Sequence, residues 1–413
     1  MPDDPLPPVL DRIDADLPAA VERLLALLRI PSISTDPAHA ADCEAAADWL
    51  VRDLRGQGLA ADRHDTPGRP MVVAKGGEGG RHLLFYAHYD VQPVDPLPLW
   101  HSPPFAPRVE ETPQGPVIRG RGASDDKGQM MTFLEACRAW AAVHGRLPCR
   151  LTLFLEGEEE SGSPSLVPFL EANRDLLAAD LALVCDTGLF DRDTPAIATR
   201  LRGLLGEEVT ITGAAMDLHS GMFGGAAANP IRVLARILAS LHDEDGRVTL
   251  PGFYDGVEEP SPDQLAQWAA LGFDEAAFLR DVGLSHPAGE RGRSLLEAIW
   301  SRPTCEFNGI AGGYAGDGFK TVLPARATAK VSFRLVGRQD PQAIRAAFRA
   351  HVRAMLPPDC RADFAPHGAS PAVEMATEDP AFDRVREALS AEWPRPAAYV
   401  GVGGSIPVAG YFK

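Results

Sequence analysis

Short apolar runs that stop at an acidic or imidazole residue constrain this chain most. MVVAK (Met71 to Lys75), HLLFYAHYD (His82 to Asp90), LTLFLEG (Leu151 to Gly157) and LALVCD (Leu181 to Asp186) are too short for core helices and too continuously apolar for half-exposed strands. Amphipathic segments alternate with them. The combination predicts an α/β fold on a mostly parallel sheet, its strands buried on both faces. From Leu17 onward Val21, Leu24, Leu25 and Leu28 repeat at helical spacing until Pro31 stops the run; a second helix carries Cys43, Ala47, Leu50 and Leu54 and ends near Gly56. Between Asp125 and His144 a stripe of Met130, Phe133, Leu134, Cys137 and Trp140 ends at Gly145, which stands where a C-terminal cap belongs. Asp125 therefore sits at a helix mouth.

Past Gly206 the pattern changes. EEVTITG alternates, Asn229 and Pro230 read as N-cap and first helical residue, and Ile231, Leu234, Leu238 and Leu241 form the stripe of that helix. In ATAKVSFRL, Thr328, Lys330, Ser332 and Arg334 alternate with Ala329, Val331, Phe333 and Leu335, the period of an antiparallel strand with one wet and one dry face. The expected organisation is a first domain over residues 1–206, an inserted α+β lid or dimerisation domain over 207–373, and a return to the first domain over 374–413 through a helical segment from Asp379 to Leu389 and a short apolar run from Ala397 to Val402.

At roughly 150 residues per domain, 413 residues accommodate this plan. The 40 Lys plus Arg against 57 Asp plus Glu leave a net charge of −17, which repels polyphosphate and anionic lipid and argues against nucleic acid or a membrane as partner. No apolar run reaches the roughly 18 to 20 residues that span a bilayer, and MPDDPLPPVL lacks the pattern of a signal peptide, so a cytoplasmic location is expected. The 6 cysteines form no CxxC pair, which points to reduced thiols and leaves oxygen and imidazole groups as metal ligands.

His88 with Asp90, Asp125, the Glu158 to Glu160 run, and Asp186 all fall just past apolar strands or at a helix mouth. In open α/β sheets ligands collect at the carboxyl ends of strands, where these groups can converge. Clustered carboxylates repel one another, and a divalent cation is the simplest compensation; Zn²⁺, Mn²⁺ and Co²⁺ all suit such donors. Two ions sharing a carboxylate fit the ligand count. His88 and Asp90 are i and i+2 on a strand, so the carboxylate can orient the imidazole. Parity leaves open which glutamate of the run is ligand and which is base.

Seven segments, AHYDVQP, GRGASDDKG, LEGEEESGS, CDTG, DLHSGMFGG, FKTVLPARATAKVSFRLV and GGSIPV, together resemble the M20 metallopeptidases, in order over nearly the whole chain, and most of all the carnosinase-type cytosolic dipeptidases. The resemblance implies two divalent metal ions, with His88 and Asp186 on one, Glu160 on the other and Asp125 bridging them. It makes Asp90 the residue that orients His88, and Glu159 the general base that takes a proton from a metal-bridging water. A non-proline cis peptide is implied between Asp125 and Asp126. His219 is similar to the residue that enters the neighbouring subunit's site to stabilise the oxyanion, which implies a homodimer. Arg334 resembles the clamp for a substrate's terminal carboxylate, with Thr321, His367, Gly404 and Ser405 as further substrate contacts.

The implied activity is hydrolysis of dipeptides or short peptides. Removal of an acyl group from an amino acid within the same superfamily, and a non-catalytic peptide-binding descendant, are the alternatives. The family pattern also continues past GGSIPV to a histidine that completes the second metal site, whereas the 11 histidines here end at His367, so that site is expected to miss its usual imidazole.

Overall fold

The computed structural model describes residues 4–113 and 115–413. They pack as two compact units: the described residues up to Thr187 with Phe412, and Gly188–Tyr411 with Lys413. No helix among the described residues is long and apolar enough to cross a membrane.

The first unit opens with α1 (Pro7–Leu28) and α2 (Ala40–Gly56). Pro7 and Pro8 are tolerated in the first turn of α1 because the N–H groups there have no intrahelical partner, so the helix starts well before the expected Leu17. Next come β1 (Ala60–His64), β2 (Met71–Gly76), β3 (His82–His88), α3 (Lys127–His144), β4 (Arg150–Glu156) and β5 (Leu181–Val184). The strands lie in the order β1-β2-β4-β3-β5. β3 runs parallel to β4 and β5, as expected, while β2 and β1 join antiparallel. The short 65–70 connection between β1 and β2 permits only a reversal, since a parallel crossover needs about a dozen residues or more.

Both faces of this sheet are covered. Phe85, Ala87, Leu153 and Leu155 pack with Leu50 and Leu54 of α2 and Met130 and Leu134 of α3. On the opposite face Phe154 stacks on Phe169 at 5.5 Å between ring centroids, and Phe412 lies edge-on to Tyr86 at 5.9 Å. Each buried Leu, Met or Phe among them contributes about 1.5 to 3 kcal/mol. Alternation along β3 places His88 on the Tyr86 side, at the carboxyl end of the strand.

The second unit holds β6 (Ala196–Leu201), β7 (Gly203–Thr212), α4 (Pro230–Ala239), β8 (Thr304–Gly312), β9 (Arg326–Leu335), α5 (Pro341–Ala354), β10 (Arg361–Ser370) and β11 (Ala398–Val402). An antiparallel sheet β8-β9-β7-β10 buries Ala327, Ala329, Val331, Phe333 and Leu335 on its dry face. β11 pairs parallel with β6, so most of the segment after 374 belongs to this unit, as do β6 and β7, the latter running through 206/207. Asn229 caps α4 by accepting from the Ile231 N–H at 2.9 Å. The buried stripe of α4 is Val233, Leu234, Ile237 and Leu238; Ile231, expected inside, is exposed.

Glu207 on β7 is 1% exposed and takes Arg345 Nε at 2.9 Å and Arg349 Nε at 2.7 Å, tying α5 to the sheet. Removing one member of a buried ion network leaves the others uncompensated. Glu207→Ala is therefore expected to cost about 3 to 5 kcal/mol, read as a lowered midpoint in thermal or urea unfolding. A midpoint within error of the parent would show that the two arginines gain nothing from this carboxylate.

Candidate metal centre

Three strand ends and one helix mouth build the site within the first unit. β3 ends at His88, and β4 ends at Glu156 and turns through Gly157 into a 3-10 turn at Glu159–Ser161. β5 ends at Val184, two residues before Asp186, and α3 begins just after Asp126. The Asp125–Asp126 peptide is cis. His88 Nε2 lies 3.0 Å from Asp125 Oδ1 and 3.8 Å from Asp186 Oδ1. Two overlapping sets of potential ligand atoms, His88 with Asp125 and Glu160, and His88 with Asp126 and Asp186, each fall within 4.8 Å of one another. The structure thus brings together His88, Asp125, Glu160 and Asp186, and adds Asp126.

Asp126 is fully buried; its Oδ2 accepts from the His88 N–H at 3.0 Å, and its Oδ1 has no hydrogen-bond partner. An orphaned carboxylate oxygen beside imidazole and further carboxylates fits a divalent cation, whose charge offsets the desolvation of the cluster. Cys185 Sγ donates to the Gln129 carbonyl at 3.9 Å, and among the described residues neither ligand set includes a thiol.

Asp90 is the hub of the site. His88 Nδ1 lies 3.1 Å from the Asp90 carbonyl and 3.3 Å from its Oδ1. The same carboxylate accepts the Glu159 N–H at 3.2 Å and the Glu160 N–H at 3.0 Å. One buried side chain therefore fixes both the imidazole and the turn that presents the two glutamates. Glu158 points away from the site, its carboxylate accepting from the Arg69 N–H at 2.6 Å and the Ser165 N–H at 2.9 Å, which makes it an anchor of the turn. Gln92, not anticipated, donates through Nε2 to Glu160 Oε2. It continues the i, i+2 series of His88 and Asp90, a signal present in the sequence.

Electrostatics follow from burial. Desolvation pushes Glu159 up to about 8 and Asp126 up to about 8, and it raises Glu160 as well. For His88 burial works downward, but hydrogen bonds with Asp125, Asp186 and Asp90 outweigh it and raise the imidazole well above its ordinary value. The raised values favour the protonated forms of Asp126 and His88 at pH 7. An incoming divalent cation must displace these protons, so binding is expected to release protons at pH 7 and to weaken as pH falls from about 8 to 6. Calorimetry in buffers of different ionisation enthalpy reads the released protons. An affinity independent of pH would show that the cation meets donors already deprotonated.

The second unit carries the other anticipated residues. Pairing of Leu218–His219 with Val322–Leu323 brings His219 Nε2 to 3.5 Å from Thr321 Oγ1, while its Nδ1 accepts from the Gly221 N–H at 3.0 Å. Arg334 on β9 donates through Nη1 to Ser405 Oγ at 3.0 Å. The Gly404 carbonyl accepts from the Arg202 N–H at 3.1 Å. His367 lies where β10 shifts register against β7, exposed, with its carbonyl held by Arg345 Nη2 at 2.8 Å.

Residues 199–360 match the family description "peptidase dimerisation domain". The chain is 29% identical over 349 residues to the Cys-Gly metallodipeptidase DUG1 of Candida albicans, covering 80% of this chain and 72% of that protein. Human carnosine dipeptidase 1 superposes with a TM-score of 0.85 at 25% identity, over 100% of this chain and 90% of its own. The M20 family metallo-carboxypeptidase Sso-CP2 of Sulfolobus solfataricus does so with a TM-score of 0.83 at 30% identity, over 94% of this chain and 87% of its own. Identity of that degree along nearly all of both chains, joined to a cluster of carboxylates around His88 at the sheet's edge, places this chain in the M20 family of metallopeptidases.

Proposed function

We propose that this chain hydrolyses the peptide bond of dipeptides or short peptides with two divalent ions, zinc in first place and manganese or cobalt as alternatives. The observation that carries the reading is Glu159, a half-buried residue whose backbone N–H is held by Asp90 beside the two overlapping ligand sets but which belongs to neither. His88 and Asp186 would hold one ion and Glu160 the other, with Asp125 shared. When bound, the ions polarise a carbonyl and make water acidic near neutral pH. Glu159 accepts the proton of the attacking water at its carboxylate and passes it to the leaving amine. Asp90 keeps His88 and the Glu159–Glu160 backbone in register. Arg334 receives the substrate's terminal carboxylate through its guanidinium fork, with Ser405, Gly404, His367 and Thr321 as further contacts.

A panel containing Cys-Gly, β-Ala-His and N-acetyl amino acids, run on metal-loaded protein with metal content measured per chain, tests this reading. Faster cleavage of the acyl amino acids would make the chain an amidohydrolase; no turnover with metal bound would make it a binding protein. We also assign residues 207–373 to a lid that dimerises, with His219 stabilising the oxyanion in the partner subunit's site. Co-assembling His219→Ala with Glu159→Gln chains, each inactive alone, is expected to restore activity in the mixed dimer. No recovery in verified mixed dimers would place His219 outside the partner's chemistry.

A further inference from the structure

Arg202, at the junction of β6 and β7, was not singled out from the sequence, yet three of its groups hold one turn of the second unit. Its Nε donates to the Gly403 carbonyl at 2.9 Å and its backbone N–H to the Gly404 carbonyl at 3.1 Å, while its own carbonyl accepts from Ser405 Oγ. The same Ser405 hydroxyl accepts from Arg334 Nη1 at 3.0 Å. One hydroxyl thus links the Arg334 guanidinium to the Arg202 main chain, while the Arg202 guanidinium grips the same turn through Gly403. A Cβ on Gly403 would lie 3.0 Å from Arg202 Nη2, so the guanidinium lies close to the turn where glycine leaves room.

The two cations feel each other. Burial lowers Arg202 to about 10, and the charge of Arg334 adds to the lowering. Glu306 is the carboxylate whose charge acts the other way, and it stands exposed on β8 without pairing to either arginine. Among the described residues neither Arg202 nor Arg334 takes part in an ion pair, whereas Arg302, Arg293, Arg345 and Arg349 all do. Two half-buried like charges set against one turn, with no ion-pair partner among the described residues, are costly unless an anion completes them. A carboxylate is the matching shape, because a planar two-oxygen anion can take one fork from each guanidinium or both from one.

We infer that Arg202 is a second carboxylate-recognising cation, which together with Arg334 and the Gly403–Ser405 turn sets the preference for substrates with a free carboxylate over their neutral amides. This rests on the peptidase reading above for its substrate, although the two-arginine geometry does not. A purely structural Arg202 would hold the turn and affect acid and amide alike. A recognising Arg202 affects the acid alone.

The test uses the full-length, metal-loaded protein and the variants Arg202→Gln, which keeps a donor for the Gly403 carbonyl but removes the charge, and Arg202→Lys, which keeps the charge. For Ala-Gly against its C-terminal amide, Arg202→Gln is expected to reduce the acid-over-amide ratio of kcat/KM at least tenfold, chiefly through KM, with part of it recovered in Arg202→Lys. Binding is read separately by calorimetry with 3-phenylpropanoate and 3-phenylpropanamide, which have no peptide bond to cleave. The acid's affinity is expected to fall at least tenfold in Arg202→Gln and the amide's to hold. An acid-over-amide ratio within twofold of the parent, or equal losses for both probes, overturns the inference. If the parent cleaves no peptide yet the acid probe depends on Arg202, the peptidase reading fails and the anion site stands. Should Arg202→Gln not fold, the same ratios measured in Arg202→Lys decide, since an ammonium lacks the fork and a recognition role predicts a reduced acid preference there too.

Discussion

Glu159→Gln is expected to lower kcat by about 10²- to 10⁴-fold while metal content per chain stays at the parent value. The amide keeps the size of the side chain and leaves the backbone N–H of residue 159 in place to reach Asp90. What it removes is the capacity to take a proton from water. Neighbouring substitutions give the contrast. Glu160→Gln weakens a group whose oxygen lies in a ligand set with His88 and Asp125, so metal should be lost along with activity. Glu158→Gln leaves both chemistry and ligands intact but trades one of two acceptors that hold the Arg69 and Ser165 N–H groups, so its cost should appear first in thermal stability. Loss of metal from Glu159→Gln would make Glu159 a ligand and move the base to another group. A kcat within tenfold of the parent, with metal retained, would remove it from the proton transfer.

The strands that carry the site were legible because they are buried on both faces and so read as unbroken apolar runs, and the mouth of α3 was legible from a helical stripe closed by Gly145. Assignment within the glutamate run was not, because alternation ends where the strand ends. β4 stops at Glu156, and Gly157 turns the chain so closely past Tyr89 that a Cβ there would meet the Tyr89 hydroxyl at 2.3 Å and the Pro70 carbonyl at 2.8 Å. Beyond that turn the side chains follow a 3-10 geometry, and period two no longer says where they point. Asp126 escaped for a similar reason: adjacent aspartates in a regular helix or strand would diverge, yet here each joins His88 in a ligand set. The antiparallel entry of β1 and β2 was hidden because MVVAK has the same composition as a parallel strand, and only its short loop from β1 reveals the reversal. Arg202 gave no signal at all: an arginine at a strand junction, two residues after Arg200, becomes informative only once β11 and the turn after it fold back beside it.

Asp90→Asn is expected to reduce both metal affinity and turnover, a pattern opposite to that of Glu159→Gln. The parent carboxylate is fully buried and faces donors only: the Glu159 N–H on Oδ1, the Glu160 N–H on Oδ2, and His88 Nδ1 at 3.3 Å from Oδ1. An amide offers one acceptor oxygen and one NH₂ group. Whichever way it turns, its NH₂ meets an N–H, and a buried donor is left unpaired at a cost of about 1 to 3 kcal/mol. If the oxygen stays with His88 and the Glu159 N–H, the Glu160 N–H is released; if it stays with the Glu160 N–H, the imidazole and the Glu159 N–H lose their acceptor. Either loss loosens a ligand set, and removal of such an orienting partner typically weakens metal binding by about 10- to 100-fold. Saturating metal separates the two contributions. Restoring the ions should recover only part of kcat, because the backbone that carries Glu159 remains unanchored. Full recovery of kcat at saturating metal would show that Asp90 acts through His88 alone and that the turn bearing the base is held by Glu158, whose bonds to Arg69 and Ser165 the substitution leaves untouched.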